Sequence, residues 1–141
     1  MKSLMKYDRS SDVLNDKWKL ANALKKLKAL PDEMVCDVLL EQDIFSGVGN
    51  IIKNEVLYRI KLHPKTCIGP LPAPVLKQLV KEARNYSFNF LEWKKANLLQ
   101  KHWLAYHKKI CPRCKSPHYK RKYWQKKRSS FYCANCQILY K

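Results

Sequence analysis

Four cysteines near the C-terminal end constrain the fold of this sequence more than any other feature. They form two Cys-x2-Cys pairs with 18 residues between the pairs: Cys111, Cys114, Cys133 and Cys136. Two residues between ligands let one turn present both sulfurs to one ion, and a hairpin of this length brings the two turns together. The spacing therefore predicts a structural zinc site with four thiolate ligands and no open position.

Disulfides are the alternative for these cysteines, and they are typical of exported proteins. The sequence starts Met1-Lys2-Ser3 and has neither a signal-peptide core nor an apolar run of the roughly 18 residues that cross a bilayer. We therefore favour metal binding and expect an intracellular protein with no membrane partner. Cys36 and Cys67 lack a ligand spacing and are interpreted as small apolar residues.

The charge of the chain indicates a polyanionic partner. Its 29 Lys+Arg and 11 Asp+Glu in 141 residues give a net charge of +18, and nucleic acid is the commonest partner for such an excess. Residues 93–141 contain 14 Lys+Arg and no acidic residue. The same stretch contains three tryptophans, which argues against a disordered lysine tail.

Periodic apolar residues predict a helical body before the cysteines. A first helix starts near Asp12, with its apolar face formed by Leu14, Trp18, Ala21, Leu24 and Leu27. A second helix is capped by Asp32 and buries Val35, Val38, Leu39, Ile44 and Phe45.

The pattern continues with a third helix from about Asn50 to Lys61 and a fourth helix that starts at Pro74. Residues 119–124 and 129–132 have the pattern of two short strands of a hairpin. The expected fold is mainly α, a helical bundle plus a small β-hairpin zinc finger. We divide it into a flexible arm (1–11), a helical domain (12–107) and the finger (108–141).

A glycine-rich turn precedes the third helix. Backbone N–H groups after Gly47 and Gly49 and the positive end of the helix dipole suit a phosphate, and Asn50 adds a side-chain donor. A tight helix–helix turn explains the same spacing equally well. The nearby Lys53 favours the phosphate interpretation.

These motifs together resemble a known family. Residues 39–64, LLEQDIFSGVGNIIKNEVLYRIKLHP, resemble the helix-two-turns-helix motif of the formamidopyrimidine-DNA glycosylase and endonuclease VIII family. The cysteine segment, with Arg128 in its hairpin, resembles the zinc finger of that family. The likeness spans about residues 12–137 and starts at Ser11-Asp12-Val13-Leu14.

The resemblance implies binding of damaged or abasic duplex DNA in base-excision repair by a DNA glycosylase and AP lyase. Asn50 and the turn amides, including that of Gly49, would hold one backbone phosphate, with Lys53 beside them. Arg128 would hold a second phosphate while the damaged nucleotide leaves the stack.

The family's catalytic groups are an N-terminal proline and the glutamate next to it, whereas the first proline here is Pro31. We therefore name no catalytic residue and expect a DNA-binding C-terminal half, a fragment or a truncated product, that is inactive alone. A separately encoded catalytic half that reassociates with it remains an alternative.

An RNA-binding or ribosome-associated zinc-ribbon protein is a further alternative, because basic four-cysteine fingers also occur there. For the DNA-binding hypothesis we expect a monomer, located in the nucleus or with the nucleoid in the cytoplasm. The lesion that it recognises does not follow from the sequence.

Overall fold

The computed structural model describes residues 13–15, 18–122 and 128–141. The chain is mainly α with one small hairpin, as predicted. In chain order its elements are α1 (Leu20–Lys28), α2 (Val35–Val38), α3 (Asn50–Arg59), α4 (Ala73–Lys95), a 3₁₀ helix (Leu99–His102), β1 (Tyr119–Lys122) and β2 (Ser129–Tyr132). The predicted arm (1–11) and Trp124 lie outside the described residues.

The long helix α4 organises the core. It packs against α1 and α3 and buries a row of apolar residues, Leu76, Leu79, Val80, Ala83 and Tyr86. Pro74 lies in its first turn, where the missing N–H costs no helical hydrogen bond. The helix continues to Lys95.

The first helix is shorter than predicted. It begins at Leu20, and Val13–Asn15 form a turn. Tertiary contacts explain the difference, because Arg84 donates to the carbonyl of Val13 at 3.0 Å and its guanidinium lies 5.2 Å from the ring centroid of Trp18. The expected burial of Ala21 is wrong, since Ala23 and Leu27 are the buried residues of α1.

The second helix is a single turn, Val35–Val38, instead of the longer helix expected after Asp32. Met34 precedes it and forms a β-bridge with Cys67, which delays the start of the helix. Residues 39–48 then run through successive turns, and Leu39, Ile44 and Phe45 are still buried as predicted. Gly47 has a φ of 98°, which glycine adopts without strain.

The third helix matches its prediction within two residues. It begins at Asn50 and ends at Arg59, shortly before Lys61, whose φ of 59° is incompatible with a continuing helix. Eight of its ten residues are buried. Within the described ranges, none of the helices has both the length and the apolar character needed to span a bilayer.

The hairpin is antiparallel, with Tyr119 opposite Tyr132 and Lys122 opposite Ser129, and β2 packs on α3. β2 has the predicted bounds, whereas β1 is described only as far as Lys122. Beyond β2, Gln137 donates to the carbonyl of Leu62 at 2.9 Å and accepts the N–H of Cys133 at 2.8 Å. The cysteine segment is therefore hydrogen-bonded to the helical body at its far end as well.

Candidate nucleic-acid interface and metal centre

The four cysteines predicted as metal ligands lie together. Their sulfur atoms are all within 4.8 Å of one another, with Cys111 and Cys136 at 3.7 Å and Cys114 and Cys133 at 3.4 Å. Metal–sulfur bonds of about 2.3 Å in a tetrahedron place sulfur atoms about 3.8 Å apart. The cluster therefore fits one tetrahedral metal ion held entirely by thiolates.

Helix α3 contacts this cluster through Tyr58. Its hydroxyl lies 3.0 Å from the sulfur of Cys111. Burial opposes ionisation of Cys111, but hydrogen bonds from Tyr58 and from the backbone N–H groups of Cys114 and Arg113 outweigh it and lower the pKa of this thiol. The thiolate is the form that binds metal, so these contacts prepare the site for an ion.

Arg113, between the first two cysteines, holds the finger against the same tyrosine. Its guanidinium lies 3.8 Å from the ring centroid of Tyr58 and donates to the backbone carbonyl of Tyr58 at 2.7 Å. Tyr58, Ala105, Cys111 and Cys133 form a second small core, separate from that of the helical body. The finger thus packs its cysteines directly on α3.

The glycine turn has the features of an anion site. Gly49 is exposed, and a Cβ atom at this position would have no neighbour within 4 Å, so the space beside it is open. The side-chain oxygen of the buried Asn50 has no hydrogen-bond partner among the described residues, but as an acceptor it does not itself bind an anion. No side chain of these residues caps the start of α3, so the backbone N–H groups there are left open. Unpaired amides at a helix start are suited to bind an anion.

The turn and the finger face one cleft, which we call the Asn50–Arg128 cleft. Its volume is about 300 Å³, and it is lined by Asn50, Tyr106, His107, Lys120, Arg128, Ser129 and Phe131. Asn50 comes from the helical body, whereas Arg128, Ser129 and Phe131 come from the finger. The structure thus brings together two of the residues that the sequence suggested for phosphate binding.

Lys53, also suggested for DNA binding, lies behind this cleft. Its side chain is only 1% exposed, and its ammonium donates to the hydroxyl of Ser130 at 2.9 Å and to the carbonyl of Ser129 at 3.2 Å. Burial lowers the pKa of Lys53 to about 8. The side chain is directed to strand β2 and does not line the cleft.

Glu55 has a role that the sequence analysis did not assign. Its fully buried carboxylate accepts the N–H groups of Leu104, Ala105 and Tyr106, each at 2.8 Å, and pairs with Arg59 at 3.2 Å. These bonds fix the loop that presents Tyr106 and His107 to the cleft. The only sequence signal was an acidic residue between Ile52 and Val56, within an apolar row.

Comparison with known families gives one match that covers most of the chain. Residues 10–98 match the formamidopyrimidine-DNA glycosylase H2TH domain.

Curated relatives match over part of their length. Endonuclease 8-like 3 of Mus musculus is 35% identical over 127 residues, which cover 89% of this chain and 21% of that protein. Endonuclease 8-like 2 of Homo sapiens is 40% identical over 102 residues, which cover 72% of this chain and 30% of that protein. The chain thus spans between a fifth and a third of the length of these relatives.

Solved structures share the fold. A viral DNA glycosylase superposes with a TM-score of 0.84 at 23% identity and covers 97% of this chain and 54% of its own. The formamidopyrimidine-DNA glycosylase of Lactococcus lactis, bound non-covalently to DNA containing an AP site, superposes with a TM-score of 0.82 at 22% identity, with coverages of 96% and 54%.

Proposed function

This chain belongs to the formamidopyrimidine-DNA glycosylase H2TH-domain family, and from this premise we propose that it binds duplex DNA at damaged or abasic nucleotides. It would do so as the C-terminal part of a base-excision-repair DNA glycosylase. The observation that carries the proposal is the Asn50–Arg128 cleft, where the start of a helix and an exposed arginine of the finger meet. Both are groups that bind phosphate.

Each side of the cleft supplies a different part of the binding. The first N–H groups of α3, with Gly49 and Asn50, would donate to one backbone phosphate, and Arg128 would bind a second phosphate from the opposite side of the cleft. Lys53 would contribute to DNA binding indirectly, by holding β2 in place behind the cleft. Such contacts fix the position of a strand without reading its sequence, which suits a protein that must hold a distorted duplex.

We propose that zinc is the ion of the four-cysteine cluster. Four thiolates in a closed tetrahedral set are the typical ligands of structural zinc. The cysteine segment is too short to bury a core of its own, so the ion would supply free energy of folding to the finger. Lys109, Arg113 and Lys115 lie beside the cysteines in sequence and offset the negative charge of a zinc tetrathiolate.

We assign no catalytic role to any residue described above. Base removal and strand cleavage would depend on a catalytic domain of the family, with which this chain would act on DNA in the nucleus or the nucleoid. We propose that one copy of the chain, with the helical domain (12–107) and the finger (108–141) acting as one surface, binds one lesion. The RNA-binding alternative finds no support among the relatives described above.

Fluorescence anisotropy tests this proposal with a labelled duplex that contains an abasic-site analogue. Asn50→Ala and Arg128→Ala should each weaken binding about tenfold without a change in Tm, because each removes a contact to one of the two phosphates. Lys25→Ala, on the exposed side of α1, is the control and should have little effect. Stronger binding of structured RNA than of the duplex would contradict the proposal.

A further inference from the structure

A single side chain connects the two sides of the Asn50–Arg128 cleft. The amide nitrogen of Asn54 donates to the backbone carbonyl of Asn50 at 2.9 Å and to that of Ser129 at 3.1 Å. Its amide oxygen accepts the backbone N–H of Phe131 at 2.7 Å. The side chain is buried, at 2% exposure, and both polar atoms of its carboxamide have partners.

The preceding residue contacts the same strand. The ammonium of Lys53 reaches the carbonyl of Ser129 and the hydroxyl of Ser130. Consecutive residues of α3 therefore hold three consecutive residues of β2, and Arg128 directly precedes these three. The carbonyl of Ser129 accepts from both side chains, so α3 holds the strand at the residue next to Arg128.

This arrangement defines the position of β2 along its own axis. Apolar packing would tolerate a small slide of the strand, whereas the carboxamide matches one carbonyl and one N–H that lie two residues apart. A slide by one residue would leave these buried groups without partners and would turn every side chain of the strand to the other face. The position of Arg128 relative to Asn50 is thereby set by hydrogen bonds.

We infer that Asn54 and Lys53 are positioning residues, which hold strand β2 on helix α3 so that Arg128 and Asn50 bind the same stretch of DNA backbone. This inference rests on the proposed function. Neither side chain lines the cleft, so both act through Arg128. Two groups that are already held at the correct separation lose little conformational freedom on binding, which is why the arrangement strengthens binding.

Salt dependence of duplex binding gives a readout that a merely structural role would not change. Asn54→Ser leaves the charge of the protein unchanged. It should nevertheless make the negative slope of log K against log salt shallower by about 0.9, the value for one phosphate contact. Arg128→Ala should reduce the slope by the same amount. Asn22→Ser, on the exposed side of α1, is the matched control and should leave the slope unchanged.

A double-mutant cycle tests the dependence on Arg128. Asn54→Ser should weaken binding about tenfold in the wild-type background and less than about twofold in the Arg128→Ala background, because the contact that it positions is already gone. Equal losses in both backgrounds would overturn the inference.

A second pair of variants covers the case in which Asn54→Ser does not fold. Lys53→Met keeps the unbranched chain and removes the ammonium, and it should show the same dependence on Arg128, whereas Lys25→Met should not. If wild type binds no duplex, the proposed function fails. If wild type binds and Arg128→Ala weakens it, but Asn54→Ser and Lys53→Met do not, only the positioning role fails.

Discussion

At the scale of single residues, α3 carries polar side chains that are buried rather than solvated. Lys53, Asn54, Glu55 and Tyr58 are each no more than 2% exposed. All four make hydrogen bonds or close polar contacts with the finger or with the loop that precedes it. The burial and the hydrogen bonds of these side chains therefore depend on how the finger and the preceding loop pack on α3.

The burial of Lys53 predicts a dependence of stability on pH. Burial lowers its pKa from 10.5 to about 8, so between these values the unfolded chain binds the proton more tightly than the folded chain. The free energy of unfolding of wild type relative to Lys53→Met should therefore rise as the pH increases from about 8 to 10, by on the order of 3 kcal/mol at most. Urea unfolding at several pH values measures this difference.

Lys25→Met is the control for that experiment, because Lys25 is exposed on α1. Its stability relative to wild type should not change over the same range of pH. A constant difference between wild type and Lys53→Met would show that the Lys53 ammonium is not desolvated.

The hydroxyl of Tyr58 predicts an effect on metal affinity. Tyr58→Phe removes the group that lies 3.0 Å from the sulfur of Cys111, and loss of such a contact to a ligand typically weakens metal binding 10- to 100-fold, so we expect about tenfold. Competition with a chromophoric chelator measures the affinity. Tyr86→Phe makes the same chemical change where the hydroxyl has no hydrogen-bond partner among the described residues, and it should leave the affinity unchanged.

At the scale of elements, the loop before the finger depends on Glu55. Glu55→Gln replaces a carboxylate that accepts three backbone N–H groups with a neutral amide, so we expect a loss of about 3 kcal/mol in the free energy of unfolding. Denaturant unfolding measures it. Glu92→Gln, on the exposed side of α4, should change stability by less than about 0.5 kcal/mol, and equal effects of the two would argue against this role.

Metal removal should affect the hairpin and the helices differently. The cysteine segment shares only a small core with α3, whereas α4 lies in the main core. After chelation, amide protons of β1 and β2 should exchange quickly and those in the interior of α4 should stay protected. Hydrogen exchange detects this, and simultaneous loss of protection in both would show that the ion stabilises the whole chain.

The sequence pattern predicted correctly those boundaries of helices and strands that depend on residues near them in the sequence. The bounds of β2, the start of α3 at Asn50 and the position of Pro74 in the first turn of α4 agree with the structure. The starts of α1 and α2 do not, because they depend on Arg84 and on the bridge between Met34 and Cys67, which are distant in sequence.

The site was predictable to a similar extent. Cysteine spacing predicted the cluster of four sulfur atoms, and the glycine turn predicted Asn50 as a residue of the phosphate site, which stays a prediction. The burial of Lys53 and the role of Glu55 were not predictable, because a polar helix side has the same sequence pattern whether it contacts water or another part of the chain.

At the scale of the whole molecule, positive charge is concentrated where the finger is. Residues 93–141 have a net charge of +14, whereas the first 92 residues have +4. The Asn50–Arg128 cleft lies between these two parts of the chain. Long-range attraction to a polyanion and the proposed phosphate contacts would therefore be directed to the same region.

This charge distribution predicts strongly salt-dependent binding. With about four to six phosphates engaged, log K for duplex DNA should fall with log salt with a slope of about −3.6 to −5.4, since each phosphate contributes about −0.9. Anisotropy titrations between about 50 and 200 mM salt measure the slope. An affinity that does not change over this range would show that the basic surface does not contact the DNA backbone.

The contacts of α3 also imply an order of assembly during synthesis. The side of α3 that faces the finger is polar, so water can satisfy it before the finger exists, and the helical body can form while the later cysteines are still inside the ribosome. The finger would then fold onto a finished helix when the ion arrives. Supply of metal would thus decide whether the finger, and Arg128 with it, joins the helical body.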